Sequence, residues 1–148
     1  MKKENLPSEL SELITEEEIM IFKELQIKLK ELNYKTNLTR IIEGDDYWIS
    51  QVYDSLWTFK ENTNKNFDNK KFIDIGTGCG FPGFAYAITH PNSEIYLIDS
   101  SRKKTDSLKK IIKNLNFKNK IYVINDRIEN FSKQSSFRNS FQVATARA

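Results

Sequence analysis

Residues 72–83 read FIDIGTGCGFPG, and this run restricts the fold more than any other part of the chain. The strand-forming residues Phe72, Ile73 and Ile75 are followed at once by glycines at 76, 78, 80 and 83. A strand that breaks into closely spaced glycines and resumes as a helix brings backbone against a nucleotide-like ligand. Glycine has no Cβ, so it permits both the unusual φ values and the close approach such a loop needs. One acid, Asp74, lies inside the strand. A second, Asp99, closes the next apolar run, Ile95-Tyr96-Leu97-Ile98.

Two ligand classes fit this pattern. Gly78-Cys79-Gly80-Phe81-Pro82-Gly83 matches the dinucleotide fingerprint G-x-G-x-x-G, with Asp99 following 21 positions after Gly78, where that fingerprint places an acid about 20 positions on. Asp74 does not belong to that fingerprint. D-x-G-x-G-x-G resembles the first motif of S-adenosylmethionine (SAM) methyltransferases, which use the same strand, loop and helix. The resemblance implies that Gly76, Gly78 and Gly80 pack on the methionine part of the cofactor. It implies that Asp99 takes the ribose hydroxyls, since a carboxylate can accept from both.

The 148 residues are 39% hydrophobic and 29% charged, which indicates one soluble domain with a real core. No apolar run approaches the ~20 residues of a membrane span. The N-terminal MKKENLPSEL has no apolar stretch behind its lysines, so it is not read as a signal peptide. A single cysteine, Cys79, excludes an internal disulfide and a Cys-cluster metal site, and fits a reducing cytoplasm. Inside the glycine loop it reads as a small side chain rather than a nucleophile. The formal charge of +3 says little, but Arg102 to Lys120 holds eight cations and one acid, Asp106. Such a patch could meet phosphates, and it equally suits a solvated helix face.

Thr15 and Glu18 form a capping box before Ile19, Phe22, Leu25, Leu29 and Leu32, so a helix starts there. A break is expected from Asn33 to Thr39. A second helix from about Asp45 or Asp46 carries Trp48, Val52, Leu56 and Phe59 on one face, with the aromatics as core. The polar run Lys60–Lys71 reads as a linker. The expected division is a helical cap over 1–60, a linker over 61–71 and a cofactor-binding part over 72–148. Strands are expected at 72–75, 94–98, 120–124 and 141–145, and helices at 83–89 and 102–115. That order predicts an α/β fold, a doubly wound parallel sheet with right-handed crossovers. The abrupt end after the last strand is read as the truncation of a longer protein, with its C-terminal strands missing.

Taken in order, the motifs resemble the RsmG (GidB) family, bacterial methyltransferases acting on guanine N7 in small-subunit ribosomal RNA. They are Asn37-Leu38-Thr39, Asp54-Ser55-Leu56, the loop 74–83 with its GFPG, Leu97-Ile98-Asp99-Ser100 with Arg102-Lys103, Asp126-Arg127-Ile128-Glu129 and Thr145-Ala146-Arg147-Ala148. The resemblance covers roughly Glu17 to Ala148 and implies a class I SAM-dependent fold. Its implied cofactor contacts fall on Gly76 and Phe81, on Ile128 and Glu129 beside the adenine, and on Arg147, and Asp74 is counted with the loop glycines and Asp99 among the cofactor-binding residues. Arg147 would pair the cofactor carboxylate or meet guanine O6. One departure is Gln51, where the family often has histidine. The only histidine, His90, reads as a surface turn residue, and no metal site is expected.

The resemblance further implies 16S rRNA of the small subunit as partner, a guanine of the 530 loop (guanine-527 type) as target, and a monomer in the cytoplasm. Guanine N7 carries a lone pair and no proton, so methyl transfer needs positioning rather than a general base. N7 lies on the major-groove edge, which duplex RNA buries, so the target is an exposed loop base. Lys109, Lys110 and Lys113 are the residues expected on RNA phosphates, with Lys35 and Arg40 as further candidates. The rival readings are an NAD-binding oxidoreductase and a SAM-fold RNA-binding or assembly protein without catalysis.

Overall fold

The computed structural model describes residues 6–60 and 66–147. Four strands form one parallel sheet in the order β3-β2-β1-β4: β1 Lys71–Ile75, β2 Glu94–Asp99, β3 Ile121–Asn125 and β4 Val143–Ala146. Register is set by pairing Asp74 with Leu97 on one side and with Thr145 on the other. β1 therefore lies centrally, and the loop that leaves it opens where the strand order reverses. That position is where doubly wound sheets bind ligands.

α1 (Glu16–Thr36) opens with the expected capping box, Glu18 N–H donating to Thr15 Oγ1 at 3.2 Å and Thr15 N–H to the Glu18 carboxylate at 2.7 Å. Phe22, Leu25, Gln26 and Leu29 form its buried stripe. The helix runs through Asn33 rather than breaking there. Asn37 takes the left-handed position at φ 47°, its N–H closing on Asn33 O, while the Asn33 side chain accepts from Thr39 N–H at 3.0 Å. Asn33 thus fastens the exit of the helix from within its last turn.

The next helical segment has three parts: α2 (Gly44–Asp46), a π-helical stretch (Tyr47–Tyr53) and α3 (Asp54–Lys60). Its central turns bury Tyr47, Trp48, Gln51 and Val52 together, a set that an α-helical face would bury nearly as well, so the wider turns leave little mark on the sequence pattern. Residues 61–65 of the expected linker lie outside the described residues, as does Ala148. α4 (Gly83–Thr89), α5 (Arg102–Asn114) and the short α6 (Ile128–Phe131) follow, with short 3-10 helices at Ser8–Glu12 and Ser135–Phe137. α6 falls where the sequence reads as a loop, because four residues are too few for periodicity to register.

One core joins the N-terminal helices to the sheet, running from Leu10, Phe22, Trp48 and Val52 to Phe72, Tyr86, Leu97 and Leu108. Phe72 and Tyr86 stack at 4.1 Å between ring centroids. The opposite sheet face carries a smaller cluster of Ile73, Tyr96, Ile98 and Phe131, with Phe137 and Phe141 packed on it. Phe141, which reads as part of the last strand, serves this cluster instead. The strand begins two residues later, after Gln142 has bonded Lys71 through both backbone and side chain. Among the described residues, no helix is long and apolar enough to cross a membrane.

Candidate functional site

Asp74 organises the glycine loop from beneath. It has no solvent exposure. Its Oδ2 accepts from Thr77 Oγ1 at 2.7 Å and Gly83 N–H at 2.9 Å, and its Oδ1 accepts from Thr145 Oγ1 at 2.9 Å. One carboxylate therefore holds the start of the loop, the first turn of α4 and β4. Burial pushes its carboxyl above the usual range, against the three hydrogen bonds and the nearby Arg147 charge, which lower it.

The four loop glycines divide by cause. Gly76 and Gly78 have φ +66° and +59°, and a Cβ at either would meet essentially open space. There the backbone conformation and the absence of a side chain both favour an approaching ligand. Gly80 and Gly83 are needed for packing: a Cβ on Gly80, which is also left-handed at φ +100°, would enter the Phe84 ring, and one on Gly83 would strike Leu97 and Asp74. The Phe81–Pro82 peptide is cis, and Phe81 is buried with its ring edge-on to Tyr47 at 6.0 Å.

Asp99 ends β2 beside this loop. Its Oδ2 accepts from Gly78 N–H at 2.9 Å and its Oδ1 from Ser101 N–H at 2.8 Å, while Asn125 Nδ2 donates to its backbone carbonyl at 3.1 Å. It forms one wall of a cavity of about 190 Å³ with Ile75, Gly76, Ile98, Ser100 and the Asp126–Glu129 turn. Ile128 and Glu129 thus face Asp99 across the same space.

A second cavity, about 380 Å³, lies on the other side of the loop. Gly76, Thr77, Gly78, Cys79 and Phe81 form its floor; Leu38, Thr39, Ile41, Ser50, Gln51, Asp54 and Arg147 form its walls. Gly76 borders both cavities. Arg147 reaches across from β4 to the helical segment. Its Nη1 donates to Ser50 O at 3.1 Å and Asp54 Oδ2 at 3.2 Å, and its Nη2 donates to Gln51 Oε1. Gln51 is buried. Its amide nitrogen faces Thr39 Oγ1 at 3.2 Å, Ile41 O at 3.4 Å and Cys79 Sγ at 3.6 Å. Burial raises the Cys79 thiol and raises the Tyr47 hydroxyl well above its ordinary value, so both stay neutral near pH 7.

Of the expected site residues, Gly76, Gly78, Phe81, Asp99, Ile128, Glu129 and Arg147 line one or both of two cavities that share Gly76, whereas Gly80 lines neither and Asp74 is enclosed beneath the loop. Lys109, Lys110 and Lys113 do not line either cavity. They are exposed on α5, with Lys113 about 16 Å along the helix from Arg102 at ~1.5 Å per residue. Ser50 and Gln51 as anchors of Arg147 escape sequence reasoning. Their signals are their closeness to the Asp54-Ser55-Leu56 motif and, for Gln51, its standing where the resembling family often has histidine. His90 opens a turn, its carbonyl accepting from Ser93 N–H at 3.0 Å, but it is not a surface residue: it caps α4 half-buried and stacks on Tyr86 at 4.2 Å, and burial lowers its ring pKa. Among the described residues, no cluster of three or more His, Cys, Asp or Glu could hold a metal ion.

Comparison with known proteins identifies the family. The family model GidB, described as rRNA small subunit methyltransferase G, matches residues 18–148. A protein of Prochlorococcus marinus subsp. pastoris named ribosomal RNA small subunit methyltransferase G is 80% identical over 148 residues, covering 100% of this chain and 62% of its own length. A protein of the same name from Prochlorococcus marinus strain NATL1A is 45% identical over 141 residues, covering 95% of this chain and 57% of its own. The chain thus spans about three fifths of the length of these relatives. A glycine loop on a parallel sheet, its two flanking cavities and a family match over residues 18–148 together place the chain in the GidB family of rRNA small subunit methyltransferases.

Proposed function

We propose that the two cavities sharing Gly76 together bind SAM and that the protein transfers its methyl group to N7 of a guanine in the 530 loop of 16S rRNA. The observation that carries this reading is Gly76, a side-chain-free wall shared by one cavity containing Asp99 and another ending at Arg147. An elongated nucleoside with a charged amino-acid tail has that shape.

The residues present fit such a group. Asp99 spends two of its roughly four acceptor sites on backbone N–H groups, leaving capacity for two ribose hydroxyls. Ile128 and Glu129 offer an apolar side chain and a carboxylate to the adenine. Arg147 donates to Ser50, Asp54 and Gln51 and has further N–H groups for a carboxylate. Bound, the cofactor would supply an electrophilic methyl group on a sulfonium. The chain's own task is to bind, orient and exclude water. No residue has to remove a proton, since N7 carries none at neutral pH.

In this reading 1–60 is a cap whose Thr39, Gln51 and Asp54 wall the larger cavity, 61–71 a linker and 72–148 the cofactor-binding part. The partner is the small ribosomal subunit, the protein is a monomer, and its place of work is the bacterial cytoplasm. Lys109, Lys110 and Lys113 hold RNA phosphates outside the cavities.

Calorimetric titration tests the cofactor. S-adenosylhomocysteine is expected to bind once per chain and NADH not at all. Asp99→Ala is expected to weaken binding at least tenfold, equivalent to about 1.4 kcal/mol of binding free energy. Binding of NADH in place of S-adenosylhomocysteine would overturn the proposal.

A further inference from the structure

We infer that Gln51 is a positioning residue, which sets the Arg147 guanidinium against the glycine loop by bonding both through one neutral amide. The inference rests on the SAM reading above. Gln51 is 2% exposed, too enclosed to leave either end of its amide unbonded without a penalty. Its Oε1 accepts from Arg147 Nη2. Its Nε2 faces Thr39 Oγ1 and Ile41 O from the segment before the π-helical turns, and Cys79 Sγ from the loop. A guanidinium only donates and a backbone carbonyl only accepts. The neighbours therefore fix the amide's orientation, since its reversal would set NH₂ against Arg147 and oxygen against Ile41 O.

Three chain segments meet at this side chain: the 37–43 connection, the glycine loop and the end of β4. All three line the larger cavity. Ser50 O and Asp54 Oδ2 hold the other arm of Arg147, so among the described residues the hydrogen-bonded tie from the guanidinium to the loop floor runs through Gln51. A neutral amide performs this without titrating. The charged and titratable groups in contact with it are Arg147, which follows β4, and the Cys79 thiol from the loop; Asp54 holds the other arm of Arg147, and Tyr47 lies one turn earlier in the same helical segment. Arginine stays cationic, and burial keeps Cys79 and Tyr47 protonated.

Replacement by histidine therefore makes a distinct prediction. Neutral imidazole can accept from Arg147 and donate to Thr39 or Ile41 O. Imidazolium can only donate, and it would place a second cation beside the guanidinium. The experiment measures S-adenosylhomocysteine affinity of the wild type, Gln51→Leu and Gln51→His from about pH 5.5 to 8, across the ordinary histidine range. Gln51→Leu is expected to bind about tenfold more weakly at every pH, as removal of a buried charge-assisted hydrogen bond implies. Gln51→His is expected to approach wild type near pH 8 and to fall about tenfold below it towards pH 5.5, where the same hydrogen bond is broken. A Leu variant that binds like wild type, or a His variant whose ratio to wild type is constant with pH, overturns the inference. If the Leu variant does not fold, the His profile decides. A wild type that binds no S-adenosylhomocysteine overturns the underlying SAM reading, and the inference with it.

Discussion

Arg147 donates to the side-chain oxygen of Gln51, 96 positions earlier in the chain. A residue directly after β4 is thereby fixed to the helical segment that precedes the sheet. Asp74 makes the complementary tie from below, joining Thr77, Gly83 and Thr145. The glycine loop is held between these two residues, and its conformation depends on pieces of chain remote from it.

Asp74→Ala should destabilise the fold by about 2–4 kcal/mol, because it strands the Gly83 N–H and two hydroxyls in a buried site. Urea unfolding monitored by circular dichroism reads this directly. Asp74→Asn tests the raised carboxyl. A carboxyl raised by burial binds its proton more tightly in the folded state. The stability it contributes is therefore present below its ordinary value of 3.8 and is lost as pH rises through the folded value. Wild type should thus be most favoured over Asp74→Asn near pH 3 and lose ground towards pH 7, measured by the same unfolding curves.

The two classes of loop glycine should separate stability from binding. Gly83→Ala, whose methyl strikes Leu97 and Asp74, should cost about 1–3 kcal/mol of stability, in the range of overpacking. Gly76→Ala meets no neighbour and should cost about 1–2 kcal/mol through its left-handed φ alone. Its methyl group projects into open space between the two cavities, so its S-adenosylhomocysteine affinity should fall by more than tenfold. Paired melting and calorimetry on both variants check the contrast.

Replacing Lys109, Lys110 and Lys113 together with alanine should weaken binding of a 530-loop RNA hairpin. The slope of log affinity against log salt should become shallower by about one for each phosphate no longer neutralised. S-adenosylhomocysteine affinity should not change, since these lysines line neither cavity. Unchanged RNA affinity and slope would make this a solvated face.

Much of the site is legible in the sequence because glycine spacing and strand-ending acids are local signals. Asp74, the loop glycines, Asp99, Ile128 and Glu129 lie in short motifs that name their own positions. The capping box at Thr15 and Glu18 is equally local. Gln51 is not legible as a hub, because its partners Thr39, Cys79 and Arg147 are brought to it only by the fold. The π-helical stretch Tyr47–Tyr53 is hidden for a different reason: apolar residues at 48, 52 and 56 fit an α-helical face nearly as well. Phe141 reads as strand by composition, yet packing on the second sheet face claims it.

Mapping N7-methylguanine by chemical cleavage of 16S rRNA tests the central claim most directly. Cells in which the gene encoding this chain is deleted should lose one cleavage in the 530 loop. The intact gene should restore it, and the same gene carrying Asp99→Ala should not. Persistence of that cleavage in the deletion strain would contradict the proposed reaction.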